Sequence, residues 1–328
     1  MRDALASLAL EIRKGQAALS EKAREARLGV PGFVVKAEGR SVSRSACAVD
    51  GGLLAFRLHG HDVVATRAVG VNFVYEGSVL KSFSYHPGRT PKTEVHVKSA
   101  LDEHEANVLR SLLRLKSELS CAIETLERYS PGLLLLDGSL WTVPSDRPGE
   151  GSGLAPLYGE VVGLYKKLFA GCDLRKTMLC GVVKDSRSKK LAESLGFSCS
   201  DTVLTSHMLD KGERTSAFRY FDKGQKEPEG FWDRLKVFYI KPSENDLPLR
   251  IEHLAPAGGK DDGAHDGSDE TASLILSLSS ISDAFAYPAI LIEADMRAAM
   301  DPAEAERLQA DISALDIRPL RRDSRPFR

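Results

Sequence analysis

The chain has 328 residues, 42% of them hydrophobic, and a formal net charge of −1 from 45 basic and 46 acidic side chains. That length holds one large domain or two ordinary ones, at roughly 100 to 200 residues each, with ample apolar content for a core. The neutral balance excludes a protein that is basic throughout and holds nucleic acid by bulk charge, leaving local patches for such contacts.

Residues 1–28 read as an amphipathic N-terminal helix, with Leu5, Leu8, Ile12, Leu19 and Ala23 on one stripe and charges elsewhere. Such a stripe needs a surface, either its own core or another subunit. The segment is too charged for a signal peptide, and no run approaches the ~20 apolar residues of a membrane span, so a soluble, cytoplasmic protein is expected. Pro31-Gly32 ends the helix. From Ala46 to Tyr85 the pattern changes to an antiparallel meander, CAV, LLAFRL, VVATRAVGVNFVY and SVLKSFSY, with Asp50 near its start. A long helix is predicted from about Ala100 to Tyr129, its apolar face made by Leu101, Val108, Leu112, Leu115, Leu119, Ala122 and Leu126.

The helix delivers the chain to LLLLDGS, four leucines closed by Asp137, which reads as a strand buried on both faces. Val143 to Pro156 is a turn-rich loop. A short helix near Glu160 to Leu168, the strand TMLCGVV, a helix from about Ser188, and the strands LKVFYIK and LPLRIEHL follow. Residues 255–270, APAGGKDDGAHDGSDE, have almost no apolar content and read as a disordered insertion. Two helices, about Ala289–Met300 and Pro302–Ala314, precede a basic tail at 315–328, whose closing stretch IRPLRRDSRPFR has five arginines against one aspartate. Five cysteines without a C-x-x-C pair are expected as thiols in a reducing compartment. The pattern predicts an α/β fold of one domain over residues 1–328: a mixed sheet, with antiparallel first hairpins and parallel later strands, flanked by helices.

Asp50 and Asp137 each end an apolar strand and are followed by glycine. The local explanation is turn geometry, which Asp and Gly both tolerate. A second explanation is chemical, because sites in open α/β sheets collect at carboxyl ends of strands, and two such acids meet when their strands are neighbours. Arg114, Glu118 and Ala122 share one helical face by their four-residue spacing. A lone helix glutamate is more often solvated than functional. His59-Gly-His61 has no third ligand nearby and reads as a solvated turn, and no nucleotide-binding P-loop is present.

AVDGG, RLKSELSCA, LLLLDGSL, GVVKDSRSKKLAE, LKVFYIK and AYPAILIEADMRA occur in the order of the motifs of the NurA nucleases and extend over most of the chain. The chain thus resembles that family. The resemblance implies an RNase H-like fold and cutting of single-stranded DNA and duplex ends. It also implies a homodimer partnered by the hexameric HerA ATPase, with no membrane role. Asp50, Glu118 and Asp137 match the family's site acids. The fourth position departs from the pattern: a histidine is usual after alanine in the closing helix, and Asp295 stands here, with Glu293 as an alternative. Two-ion phosphodiester hydrolysis calls for several carboxylates from different elements, and hard oxygen ligands suit Mg²⁺ or Mn²⁺.

For DNA contacts, Lys184, Ser186 and Arg187 of KDSRSKK offer charge, a hydroxyl and amides at a helix start. Tyr239, Phe238 and Trp232 are candidates to stack bases, with alternation allowing only one of Phe238 and Tyr239 to face inward. Two rival readings stand: a non-catalytic DNA-end clamp that regulates the translocase, and an RNase H-like nuclease acting on RNA or hybrids.

Overall fold

In a computed structural model of the chain, the described residues are 2–221, 230–231, 233–257 and 266–314. Two compact units form, one of Met1–Ser41 with Gly181–Pro288 and the other of Val42–Cys180 with Ala289–Arg328. In chain order, α1 (Arg2–Gly29) and β1 (Val34–Lys36) precede the strands β2 (Ser45–Leu58), β3 (His61–Glu76), β4 (Val79–His86) and β5 (Glu94–Ser99). Then come α2 (Glu103–Tyr129), β6 (Leu133–Asp137), a short 3-10 turn at Pro144–Asp146, α3 (Ala155–Arg175) and β7 (Met178–Val183). The remainder is α4 (Lys190–Ser194), α5 (Asp201–Met208), β8 (Glu213–Thr215), β9 (Phe218–Arg219), β10 (Leu235–Lys241), β11 (Leu249–Leu254), α6 (Ser268–Leu278), α7 (Ala289–Ala298) and α8 (Pro302–Ala314).

The unit that begins at Val42 is built on the long β2–β3 hairpin, paired without interruption from Ser45↔Val74 to Leu58↔His61. Its turn is made at Gly60, φ +87°, with His59 and His61 both exposed. The other edge of β3 carries β4 over Gly70–Glu76 and β5 over His61–Thr66, both antiparallel. The other edge of β2 takes β6 in parallel, Ala46↔Leu133 to Val49↔Leu136, and β7 follows beyond β6. This is a mixed sheet flanked by helices, as the pattern predicts.

Helix α2 starts where Asp102 accepts the Glu105 N–H at 2.8 Å and stops at Ser130, whose left-handed backbone (φ 42°) returns its N–H to Leu126. Its buried face, including Val108, Leu112, Leu119, Ala122 and Leu126, covers the sheet. Helix α3 is longer than the predicted 160–168, and it runs through three glycines, Gly159, Gly163 and Gly171, of low helix propensity. Packing overrides that propensity: Tyr165, Leu168 and Phe169 are buried, and a Cβ on Gly171 would sit 3.0 Å from Leu126 of α2.

In the other unit β1, β8, β10 and β11 lie in that order, and each recorded pairing is antiparallel. Parallel pairing of these later strands is therefore not observed between β10 and β11. The seven residues that join them are too few for the crossover a parallel pair requires. Leu235 to Ile240 are all buried, because both faces of β10 are covered. Val237 and Tyr239 join Ala23, Phe33, Leu204 and Met208 in one apolar cluster, while Phe238 packs against His253 and Arg214.

The second half of α1 belongs to this core. Ala23 is fully buried, and Arg27 donates to the Met208 carbonyl at 2.7 Å and to Glu213 at 2.8 Å. The side chains of Leu5, Leu8 and Ile12 lie outside the described residues, as do Trp232 and the basic tail at 315–328. Of the predicted 255–270 insertion, residues 258–265 also lie outside them. Its end is ordered, contrary to the composition: Ser268–Glu270 open α6, and Ser268 is buried with its hydroxyl 2.9 Å from His253 Nε2. No helix among the described residues is long and apolar enough to cross a membrane.

Candidate active site

Register explains how the two acids come together, although only Asp137 ends its strand: contrary to expectation, Asp50 lies within β2, which runs on to Leu58 because its other edge stays paired with β3. The parallel ladder of β2 and β6 pairs Val49 with Leu136, so Asp50 and Asp137 are the next residues on neighbouring strands, which lie about 4.8 Å apart. β6 then ends in a turn that Gly138 makes possible at φ +128°.

The two glycines after Asp50 answer to packing on opposite faces of β2. A Cβ on Gly51 would stand 2.6 Å from Glu118 Cγ, and one on Gly52 would stand 2.0 Å from the Ala298 carbonyl oxygen. Alternation along a strand sends these positions to opposite faces, so α2 closes on one side and α7 on the other. The AVDGG motif thus places an acid beside two positions where backbone and helix approach too closely for any side chain.

Glu118 is delivered by this close approach and is buried, unlike the usual helix carboxylate. Arg114, one turn earlier, donates from Nε to Glu118 Oε1 at 2.6 Å. Asp50, 5% exposed, accepts its neighbour Gly51's N–H on Oδ1 at 2.7 Å. Burial pushes the Asp50 carboxyl up to about 8, with repulsion from Asp137 and then Glu118 adding to it. Burial also raises Glu118 to about 7, against the pull of Arg114. The group is a set of acids held together against their own charge, which is the electrostatic character of a cation site.

A cavity of about 530 Å³ opens beside this cluster. Glu118, Asp137, Arg110 and Arg114 give it a charged wall, and Leu53, Trp141 and Val143 an apolar one. Asp146, a buried acid of the loop after β6, also lines it. Asp146 accepts from Ser111 Oγ at 2.6 Å and from the Val143 N–H at 2.9 Å, fastening that loop to α2.

The fourth acid stands apart from this burial. Asp295 is exposed on α7, and its carboxylate makes no hydrogen bond or ion pair among the described residues. Glu293 is engaged elsewhere, accepting from Tyr85 at 2.7 Å and Arg297 at 2.8 Å.

The predicted DNA-contact residues divide in the same way. Tyr239 is fully buried and cannot stack on a base: its hydroxyl donates to Asp201 at 2.8 Å inside the apolar cluster. Ser186 is buried as well, and its carbonyl accepts from Thr202. The amide of Ala192 in the first turn of α4 is taken by Asp201 at 2.8 Å, so that helix start serves Asp201 instead of a phosphate. Lys184 is half-buried with its ammonium 4.3 Å from the centre of the Tyr287 ring, and Arg187 is exposed. Sequence reading passed over Arg114 and Asp146 as site residues. The four-residue spacing to Glu118 was the available signal for Arg114, whereas Asp146 carries none.

Three carboxylates are hard oxygen donors of the kind Mg²⁺ and Mn²⁺ take, and their mutual repulsion suits a divalent ion. Among the described residues, no three His, Cys, Asp or Glu side chains already converge as a ready metal cage. Internal partners hold them: Arg114 on Glu118, and the chain's own amide on Asp50. The donor chemistry therefore fits a divalent cation, and Glu118 is also paired with Arg114.

Fold and site define an α/β protein with an acidic centre where β6 ends beside its parallel neighbour β2. Residues 44–300 match the family model of the NurA domain, most of the chain, and the protein belongs to the NurA family. Its fold is similar to the crystal structure of the NurA nuclease from Sulfolobus solfataricus, with a TM-score of 0.66 over 100% of this chain and 98% of that one at 16% identity. It is also similar to a NurA structure bound to dAMP and manganese, with a TM-score of 0.59, 11% identity and coverage of 96% and 97%. A further NurA structure with manganese matches with a TM-score of 0.56, 12% identity and coverage of 93% and 98%. No curated protein matches the sequence significantly.

Proposed function

We propose that this chain is a divalent-metal-dependent deoxyribonuclease that trims DNA ends, acting as an endonuclease on single strands and as a 5′–3′ exonuclease. The observation that carries this reading is the cluster of buried Asp50 and Glu118 with half-buried Asp137, drawn from two neighbouring strands and a helix and lying beside a cavity of about 530 Å³. Family membership and the manganese and dAMP found with a similar NurA structure support it.

Asp50, Glu118, Asp137 and Asp295 form the proposed ligand set for two Mn²⁺ or Mg²⁺ ions. When bound, divalent ions supply Lewis acidity at the phosphate and offset the charge of the acids. The protein's own share is positional. The β2–β6 register holds two carboxylates side by side, Gly51 lets the third reach over the sheet, and the apolar wall of Leu53, Trp141 and Val143 limits water around the phosphate. Arg187, exposed, and Lys184 are the proposed phosphate contacts on the strand.

The proposed assembly is a homodimer, localised in the cytoplasm and working with a HerA-type hexameric ATPase. It is supported by family membership and by exposed apolar residues, Val79, Leu80 and Phe83 on β4 with Val95 and Val97 on β5, along the outer strands of one sheet. The proposal treats all 328 residues as one nuclease.

Digestion of labelled DNA and RNA, single- and double-stranded, with Mn²⁺, Mg²⁺ or EDTA, tests the reading. Metal-dependent DNA cutting is expected, abolished in Asp50→Asn and Asp137→Asn with fold and DNA binding retained. Undiminished cutting by either variant, or cutting in EDTA, would falsify it. Binding without cutting would favour the clamp, and a preference for RNA the ribonuclease.

A further inference from the structure

Arg114 is the cation set against all three acids of the cluster. Its charge is stabilised first by Glu118 and also by Asp50 and Asp137. Arg110, which lines the same cavity, is turned to its own helix and donates to the Ala106 carbonyl and to Asn107.

Arg114 also has capacity to spare. A guanidinium carries five N–H donors in a planar fork. One of them, on Nε, goes to Glu118, and the others have no hydrogen-bond partner among the described residues. The side chain is 45% exposed and lines the cavity, whereas Glu118 is only 10% exposed. One edge of the fork therefore grips a buried acid, and the remainder faces a space large enough for a nucleotide. Planar pairs of N–H groups match the oxygens of a phosphate in a way that a lysine does not.

We propose that Arg114 is an exchangeable counter-ion: it neutralises Glu118 in the metal-free protein, gives Glu118 up to the incoming divalent ion, and turns its fork to the DNA phosphate beside the site. This rests on the nuclease reading. It assigns a phosphate-binding residue, and it makes metal and arginine competitors for one carboxylate. No bond is made or broken in the exchange. The guanidinium passes from one anion to another while the cation takes its first partner.

The test compares the wild-type protein with Arg114→Gln and Arg114→Lys. Mn²⁺ affinity is measured without DNA by titration calorimetry, and KM and kcat are measured on single-stranded DNA. Loss of the competing charge in Arg114→Gln is expected to tighten Mn²⁺ binding about fivefold, and loss of the fork to raise KM for DNA about tenfold. Arg114→Lys restores the charge but not the fork, so its Mn²⁺ affinity returns toward the native value while its KM stays high. A side chain that only props up the helix would not split the two quantities in this way. Native Mn²⁺ affinity in Arg114→Gln, or native KM in both variants, overturns the proposal. If the wild type itself neither takes up Mn²⁺ nor cuts DNA, the nuclease reading falls, and this inference falls with it.

Discussion

At Asp50 and Glu118, burial and like charge act in the same direction, and this gives the metal-free protein a defined response to pH. Both groups bind a proton more tightly when folded than when unfolded, at about 8 against 3.8 for Asp50 and about 7 against 4.5 for Glu118. Their contribution to stability is therefore complete below about pH 4 and is lost as pH rises toward 8. Asp50→Asn cannot ionise and escapes its part of that loss. In EDTA, the variant should melt increasingly above the wild type as pH goes from 5 to 8, by an amount reaching a few kcal/mol. Thermal melts across that range decide it, and a gap that does not change with pH would show that the Asp50 carboxyl is not under this strain. On α7 the expectation splits by contact. Asp295→Ala should reduce cutting with no change in melting temperature, because its carboxylate supports nothing in the fold. Glu293→Ala should lower the melting temperature and spare cutting, because it releases Tyr85 and Arg297. If the two outcomes are exchanged, Glu293 is the ligand.

Among the elements, β2 meets a helix at each of its two adjacent glycines, where no side chain has room. At Gly52 the obstacle to a side chain is backbone, the Ala298 carbonyl oxygen, which cannot step aside unless α7 moves. At Gly51 it is the Glu118 side chain, which can swing. Gly52→Ala should therefore cost about 3 kcal/mol by overpacking, seen as a melting temperature lower by roughly 6–12 °C. Gly51→Ala should cost less stability but displace Glu118 and depress both Mn²⁺ affinity and cutting. Calorimetry and activity measured on the same two proteins check this, and a larger stability loss at Gly51 than at Gly52 would contradict it. The helices were legible where periodicity and capping agreed, as in α2, with its apolar face and its Asp102 cap. They were less legible in α3, where packing against α2 carries a 21-residue helix through three glycines of low propensity.

For the molecule as a whole, the N-terminal helix sets a limit on any interface role. Residues 13–18 of α1 are exposed, but Ala23 sits in the core of its own unit and Arg27 joins α5 to β8. Deleting residues 2–18 removes none of the Ala23 and Arg27 contacts and serves as the control for them. Deleting residues 2–28 should lower the melting temperature markedly, because it uncovers Phe33, Leu204 and Met208 and strands the buried Glu213 without its arginine. Weighing the two products in solution then isolates the role in assembly. A folded shorter deletion that is monomeric assigns a dimer contact to residues 2–18, and a stable longer deletion refutes the packing role of Ala23 and Arg27.

Sequence pattern alone fixed the end of β6 at Asp137, an apolar run closed by Asp-Gly, but the same pattern at Asp50 misled, because β2 stays paired with β3 as far as Leu58. It also determined that Arg114 and Glu118 share a helical face, since a four-residue spacing fixes that whatever the surroundings. Only the tertiary structure decided that Asp50 and Asp137 are neighbours, because this depends on the parallel register of strands more than eighty residues apart. Only it decided that Glu118 is buried and Tyr239 unavailable to a base. Burial is set by what packs on both sides of an element, and no pattern within LKVFYIK records that a helix-borne cluster covers one face and His253 the other. The same reason separates Arg114, turned to three acids from two strands and its own helix, from the many surface arginines that share its spacing to a glutamate.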